Sequence, residues 1–364
     1  MPCHAAAGGG DGTKRGDLGS GMVNPPVTQD VHLSSAGNAG YTCTACHVAT
    51  NHQIPGRGND LRPSDIGATM KQCVDCHIGM DSGTGHQDVG VRGEPDRHVA
   101  RVSCQACHID VYAKGVGTET SRDWTVPHWS ADGCEGQGAY VGEELRGTDL
   151  IPEYRFWNGT SYVYDRNGSG LQTDPVDGGL AMSYPNGGIN DGKLFPFKIH
   201  TSKNPVNTVS KKTNFDVMQM FTTGCYDNAA VEGLAFIGET GPYTWEDTKA
   251  YQLITHGIAP AVEANDCTKC HGNTKDYLDP TSESKLDKLG YALKDTEALI
   301  CTQCHRAKSP RGNVSMHGHL AKGSGIGCYF CHDFRRPERG LCDPCDETCV
   351  TEYVDNVAYP HTCP

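Results

Sequence analysis

Apolar positions are sparse along this chain, and two stretches near its middle carry a readable pattern. In EYRFWNGTSYVYD, residues 153–165, Tyr154, Phe156, Tyr162 and Tyr164 alternate with other positions on either side of Asn158-Gly159. A period of two is the mark of a half-buried strand, and Asn-Gly accepts positive φ readily, so the stretch predicts a β-hairpin. In DNAAVEGLAFIG, residues 227–238, an Asp opens the run and a Gly closes it. That predicts a short helix with Asp227 as its N-cap. DRNGSG, residues 165–170, resembles the opening of a calcium loop but lacks the closing glutamate, and predicts a turn. No apolar run approaches the roughly 18 residues of a membrane-spanning helix.

Composition turns this sparseness into a problem. Only 37% of the 364 residues are hydrophobic and 7% aromatic, while Gly (45) and Pro (20) are abundant. A protein-only core is hard to build from that mixture, although the length suits two or three ordinary domains.

The 19 cysteines and 17 histidines offer a resolution. Cys-x-x-Cys-His occurs six times, at Cys43, Cys46 and His47; Cys73, Cys76 and His77; Cys104, Cys107 and His108; Cys267, Cys270 and His271; Cys301, Cys304 and His305; and Cys328, Cys331 and His332. Random placement would give about 0.05 such motifs in this chain, and the motif is the attachment signature of c-type haem. Two thiols add to the two vinyl groups of one haem, and the adjacent histidine reaches its iron. Zinc knuckles or disulfides would leave the repeated histidine unexplained. The expected fold is therefore that of a multihaem cytochrome c: mostly coil with short helices and a small β-hairpin, packed around stacked haems, with low secondary-structure content.

Cysteine parity bears on the first residues. Outside the six motifs stand Cys3, Cys134, Cys225, Cys342, Cys345, Cys349 and Cys363, an odd number. Cys3 and His4 would complete a seventh motif if a cysteine preceded Met1, and the expected complement is six haems c from intact motifs and a seventh there. An unpaired Cys3, or one bridging two chains, is the other reading. Cys134 and Cys225 are expected to bridge each other. Cys342, Cys345, Cys349 and Cys363 suit two disulfides better than an eighth haem or a zinc site, because CDPC is followed by Asp346.

Beyond the six histidines of the intact motifs and His4, ten remain. A haem that only transfers electrons carries a second strong axial ligand, and ten suffice for seven haems. His32, His98, His256 and the pair His317 and His319 each lie within about a dozen residues before a motif, a loop long enough to reach a neighbouring haem. His52 and His86 are further candidates. His128, His200 and His361 are weaker ones.

The motifs divide the chain into an N-terminal array (1–110), an intervening segment without haem motifs (111–262), a C-terminal array (263–340) and a Cys-rich tail (341–364). Successive motifs within an array lie roughly 30 residues apart, a period that predicts closely packed haems. Asn158, Asn167 and Asn313 open N-x-S/T sequons, which matter only in an organism that glycosylates. Covalent haem and disulfides are both expected to place the protein outside the cytoplasm, in the periplasm or secreted, with this sequence read as a mature chain. The net charge of -13 argues against nucleic acid and anionic lipid, and favours a positively charged redox partner.

Several stretches resemble the octahaem tetrathionate-reductase family: CQACHIDVYAKGVGTETSRDWT, YRFWNG, KLFPFKIH, THGIAPAVEANDCTKCHG and the LGY at residues 289–291. The resemblance runs from about Cys104 to Leu293, more than half of the chain. It implies a periplasmic or extracellular protein with closely packed haems and His256 as a distal ligand. It also implies eight haems, and a lysine beside one reactive iron, for which Lys114, Lys198 and Lys203 are the candidates here. Glu119 stands where a basic residue would be expected.

Two functions follow as expectations. One is an electron carrier, a row of mainly bis-histidine haems serving redox partner proteins or copies of itself, possible as a homopolymeric wire with His32 or His361 lent to a neighbouring copy. The other is an enzyme, a reductase of a sulfur or nitrogen oxyanion at one weakly ligated haem, with Arg122, Arg155 and Lys198 as basic candidates. Nothing in the sequence speaks positively for haem storage or a coat protein.

Overall fold

Between residues 118 and 253 Thr, Val, Tyr, Trp and Phe recur, side chains that fit a pleated, half-buried surface, and the chain there is largely extended. The computed structural model describes residues 12–37, 39–51, 54–56, 70–86, 94–133 and 137–265, with residue 289 and the backbone of 353–354 and 357–358. The chain divides into two units, Met1–Asn265 and Asp266–Pro364.

The first unit is built on an eight-stranded mixed sheet. Its strands are β1 (Thr118–Ser130), β2 (Ala139–Gly147), β3 (Glu153–Trp157), β4 (Ser161–Val163), β5 (Gln172–Thr173), β6 (Leu180–Pro185), β7 (Lys193–Asn207) and β8 (Tyr243–Leu253). The order is β2-β1-β7-β8-β6-β4, with β3 also on β7 and β5 on β6. β7 and β8 form a long antiparallel ladder from Phe197↔Leu253 to Asn207↔Tyr243. β1 joins β7, and β6 joins β8, in parallel. In the second unit β9 (Tyr353–Val354) and β10 (Val357–Ala358) pair antiparallel.

This sheet overturns the expectation of a mostly coil fold with a small hairpin. β1, TETSRDWTVPHWS, shows why the sequence hid it: beyond Thr118 and Glu119 no residue of the strand is buried, so no apolar alternation marks it. Its edges are satisfied by backbone pairing to both β2 and β7, which hydrophobic periodicity does not report. The sheet also has a protein core, contrary to what composition suggested. Trp157, Phe197, Tyr251 and Leu253 are buried together, with Phe195, Ile199 and Tyr184 packed against them.

The predicted hairpin at 153–165 is a turn without a hairpin. Asn158 Oδ1 accepts the Thr160 N–H at 2.9 Å, and Gly159 takes φ +89°. The flanking strands then part, β3 pairing with β7 and β4 with β6. Pairing with β7 puts Trp157 edge-on to both Phe195 and Phe197, at ring-centroid distances of 5.3 and 6.3 Å, which a local hairpin could not offer.

Two helices connect β7 to β8, α2 (Val217–Thr223) and α3 (Tyr226–Phe236); α1 (Cys104–His108) precedes the sheet. α3 is the helix predicted at 227–238. Its N-cap is Cys225, with Asp227 inside the first turn. It ends as expected at Gly238, φ +80°, where the Glu239 N–H reaches back to Leu234 O at 3.0 Å.

A second cluster, Ile109, Tyr112, Ala113 and Ile254 with Leu150 and Ile258, ties the segment after α1 to the end of β8. That joint fixes where residues 255–258 leave the sheet.

Candidate haem centres

Each described Cys-x-x-Cys-His motif is wound into a single turn. Cys43–Ala45 and Cys73–Asp75 are 3-10 turns, and in both the histidine N–H continues the coil by bonding to the first cysteine's carbonyl at 2.9 Å. In α1 the N-cap Ser103 accepts the Ala106 N–H on its hydroxyl at 3.2 Å. Gln72 N–H bonds to Asp75 Oδ2 at 2.7 Å and caps the second turn. Residues three and four apart share one face of such a turn, so two thiols and an imidazole are presented together. Cys46, Cys73, Cys76 and Cys104 are exposed, Cys43 and Cys107 half-buried.

The histidines meet in pairs. His47 and His256 have ring centroids 6.1 Å apart, and His32 and His77 5.9 Å apart. Two imidazoles on opposite sides of one metal, each bonded at about 2 Å, place their centroids about 6 Å apart. The residues present therefore fit haem at both pairs, where these histidines would hold the iron.

Tautomers agree with this. His47 Nδ1 lies 2.8 Å from Pro55 O, a carbonyl that can only accept, so Nδ1 carries the proton and Nε2 keeps its lone pair. His256 Nδ1 lies 3.2 Å from Asp17 Oδ2. Burial alone would raise the Asp17 carboxyl, but the Arg15 guanidinium and the His256 imidazole outweigh it and hold it far below its usual range. Asp17 is thus an acceptor, and His256 also leaves Nε2 available.

His86 is arranged in the same way, with Nδ1 3.1 Å and backbone N 2.8 Å from Asp96 Oδ1. The His108 imidazole is pushed down by burial first, and then by His86, His77 and His32 around it. Four of the sequence candidates are therefore gathered in one place.

The motifs themselves touch. The Cys73 and Cys104 sulfurs interact, which pushes Cys104 down and Cys73 up. Burial, and then the neighbouring Cys76, raise Cys46. Cysteines of all three motifs are thus close enough to perturb one another.

His98 sits in the turn leading into α1, its carbonyl accepting from Arg101 N at 2.8 Å and Val102 N at 2.7 Å. His200 is on β7 with Nε2 3.0 Å from Glu119 Oε1, and His128 is on β1. His32 faces His77 of its own chain, and Asp30 Oδ1 accepts the His32 N–H at 2.8 Å. Cys3, His4, His52, Cys134, the motifs from Cys267 onward, His317, His319, His361 and the tail cysteines lie outside the described residues.

The candidate lysines are all engaged. Lys198 is fully buried and donates to Thr13 O at 3.2 Å, Lys14 O at 2.7 Å and Thr118 Oγ1 at 2.6 Å. Burial brings its amine down to about 8. Lys114 pairs with Asp110 at 2.9 Å and Lys203 with Asp123 at 3.2 Å. Arg122 holds Glu119 and Glu144, and Arg155 holds Glu153 and Asp177.

Sequence reasoning missed the acids that orient the histidines, Asp17, Asp30 and Asp96. Asp30 stands two residues before His32, a signal within reach. Asp17 lies 239 residues from His256, and no local signal joins them.

Comparisons with known proteins follow this geometry. A family model described as bacterial cytochrome c matches residues 135–274, and one described as cytochrome c554 and c-prime matches residues 56–109. No curated protein matches. Among solved structures, the octahaem cytochrome c from Shewanella oneidensis is similar in fold, with a TM-score of 0.58 and 24% identity over 82% of this chain and 68% of that one. The family matches, the repeated motif and the histidine pairs agree: the chain is a multihaem c-type cytochrome whose cofactor is haem c.

Proposed function

We propose that the protein carries electrons outside the cytoplasm along a row of closely packed, mainly bis-histidine haems. In the N-terminal array Cys43 and Cys46, Cys73 and Cys76, and Cys104 and Cys107 hold the porphyrins. His47 with His256, His77 with His32, and His108 with His86 would hold their irons. Haem supplies the one-electron carrier when bound. The chain's own residues hold the imidazoles of His47, His86 and His256 by the Nδ1 proton and bring the motifs close together, and two histidines at each iron would leave no site for a substrate.

The observation that carries the reading is the His47–His256 pair, 6.1 Å between centroids with both Nδ1 atoms partnered. The engaged lysines support it too, since none of Lys114, Lys198 and Lys203 is left to serve a reactive iron. The same reading gives seven haems, six from intact motifs and one at Cys3 and His4. It also includes assembly end to end, with His361 as the histidine that reaches a second copy.

Carbon monoxide binds ferrous haem only where the sixth position is open or weakly held, so the reduced protein is the test. An unchanged Soret band is the expected result. A change worth one haem would replace this reading with an oxyanion reductase fed by the remaining haems. Haem content by pyridine haemochrome decides between six and seven, and electron microscopy of the purified protein tests the polymer.

A further inference from the structure

Three distal histidines in the N-terminal array differ in what stands behind them. Asp17 has a side chain 0% exposed and binds His256 twice, through backbone N at 3.1 Å and Nδ1 at 3.2 Å. The same oxygen accepts the Thr255 N–H at 2.8 Å. Arg15 clamps this carboxylate from the other side, Nε to Oδ1 at 2.8 Å and Nη2 to Oδ2 at 2.7 Å, and anchors itself on Leu253 O at 2.8 Å. Asp96 backs His86 in the same manner, with Nδ1 at 3.1 Å. His32 is different. The carboxylate nearest its Nδ1, Asp30 Oδ1, is 4.0 Å away, beyond hydrogen-bond reach, and that oxygen already accepts the N–H groups of His32 and Leu33.

A carboxylate that accepts the Nδ1 proton draws it away from the ring and makes Nε2 a stronger donor to a metal. A stronger axial donor stabilises ferric over ferrous iron and lowers the reduction potential. We propose that Asp17 and Asp96 are positioning residues that lower the potentials of the Cys43 and Cys104 haems, so that the Cys73 haem between them is where an electron rests in this array. The inference rests on the axial pairs given under Proposed function. The array is then a low–high–low sequence set by which distal histidine has an acid behind it, and the low-potential haem at either side gates exchange with the rest of the chain.

The holoprotein with Asp17→Asn, Arg15→Gln or His256→Ala is titrated potentiometrically while haem absorbance is followed. Asp17→Asn keeps the shape and replaces the charged acceptor behind His256 by a neutral, weaker amide oxygen. One haem's share of the absorbance should then move to higher potential by at least a tenfold change in ferric-to-ferrous ratio, about 59 mV for a one-electron couple. Arg15→Gln leaves the carboxylate uncompensated and should move the same share the opposite way. Opposite signs from two neighbouring variants would not arise from simple loosening of the loop. Asp17→Asn and wild-type curves that superimpose, or two variants that shift in the same direction, overturn the proposal. His256→Ala tests the underlying pairs separately: if it leaves every haem low-spin and unreactive to carbon monoxide, His256 is no ligand and the pairing itself fails. If Asp17→Asn does not accumulate, Asp96→Asn provides the same test at the Cys104 haem, with the same upward shift expected and an unchanged curve overturning the idea.

Discussion

Asp30 and Gly257 are 227 residues apart in sequence, yet Asp30 Oδ2 accepts the Gly257 N–H at 2.9 Å. The same oxygen takes the Ile258 N–H at 3.2 Å, while Oδ1 takes those of His32 at 2.8 Å and Leu33 at 3.0 Å. One buried carboxylate thus clasps the loop bearing His32 to the loop bearing His256, and each histidine faces a different motif. Replacement by alanine leaves four backbone donors without their acceptor, at a cost of about 1–3 kcal/mol for each that stays buried. Asp30→Ala should therefore open two haems to carbon monoxide, where His256→Ala opens one. A difference spectrum of one haem's size or none would show that the loops hold their places without the clasp.

Lys198 is penalised for its charge. Burial lowers its amine from 10.5 in the unfolded chain to about 8. Between those values the unfolded state binds the proton and the folded state does not, so stability rises with pH from about 8 to 10.5. The full effect is about 3 kcal/mol at about 1.4 kcal/mol per pH unit. Denaturant midpoints of wild type and Lys198→Met, followed by the circular dichroism of the sheet, should converge as pH climbs through this window. Parallel curves would mean that the amine is not desolvated.

Glu119 acts on the acid side. Burial would raise it, but hydrogen bonds from His200 and Arg122 outweigh that and hold it at about 2, against 4.5 unfolded. Its contribution is present above pH 4.5 and fades as pH falls toward 2. After allowance for partial solvent screening it amounts to about 2 kcal/mol. Glu119→Gln should lose this at neutral pH and show a flatter acid limb; an unaltered acid transition would remove the network from the account.

Gly233 inverts a familiar rule. Alanine inside a helix is ordinarily better than glycine by about 1 kcal/mol. Here a Cβ would stand 2.7 Å from Asn214 O, Asp216 N and Phe215 Cα, backbone that cannot swing aside. Gly233→Ala should lower the thermal midpoint of the sheet unit, with a cost of about 1–3 kcal/mol for overpacking. A raised midpoint would show that α3 can slide away from residues 214–216.

What the sequence determined by itself was local. Haem c was legible because attachment needs two thiols and an imidazole on one turn, and five consecutive residues hold all of it. The helix at 226–236 was legible because it ends on a glycine that takes positive φ. The tertiary structure decided what depends on distant partners. The sheet stayed hidden because strands such as β1 are satisfied by backbone pairing and carry little apolar alternation. His256 precedes Cys267 by eleven residues, yet it faces His47, because Ile254 is anchored in the core and Asp17 and Asp30 turn the following residues toward the first motif. A histidine's place in the chain says how far it can reach. Which motif it faces is set by the buried acids that fix its loop and its Nδ1 proton, and for His256 those acids come from the opposite end of the unit.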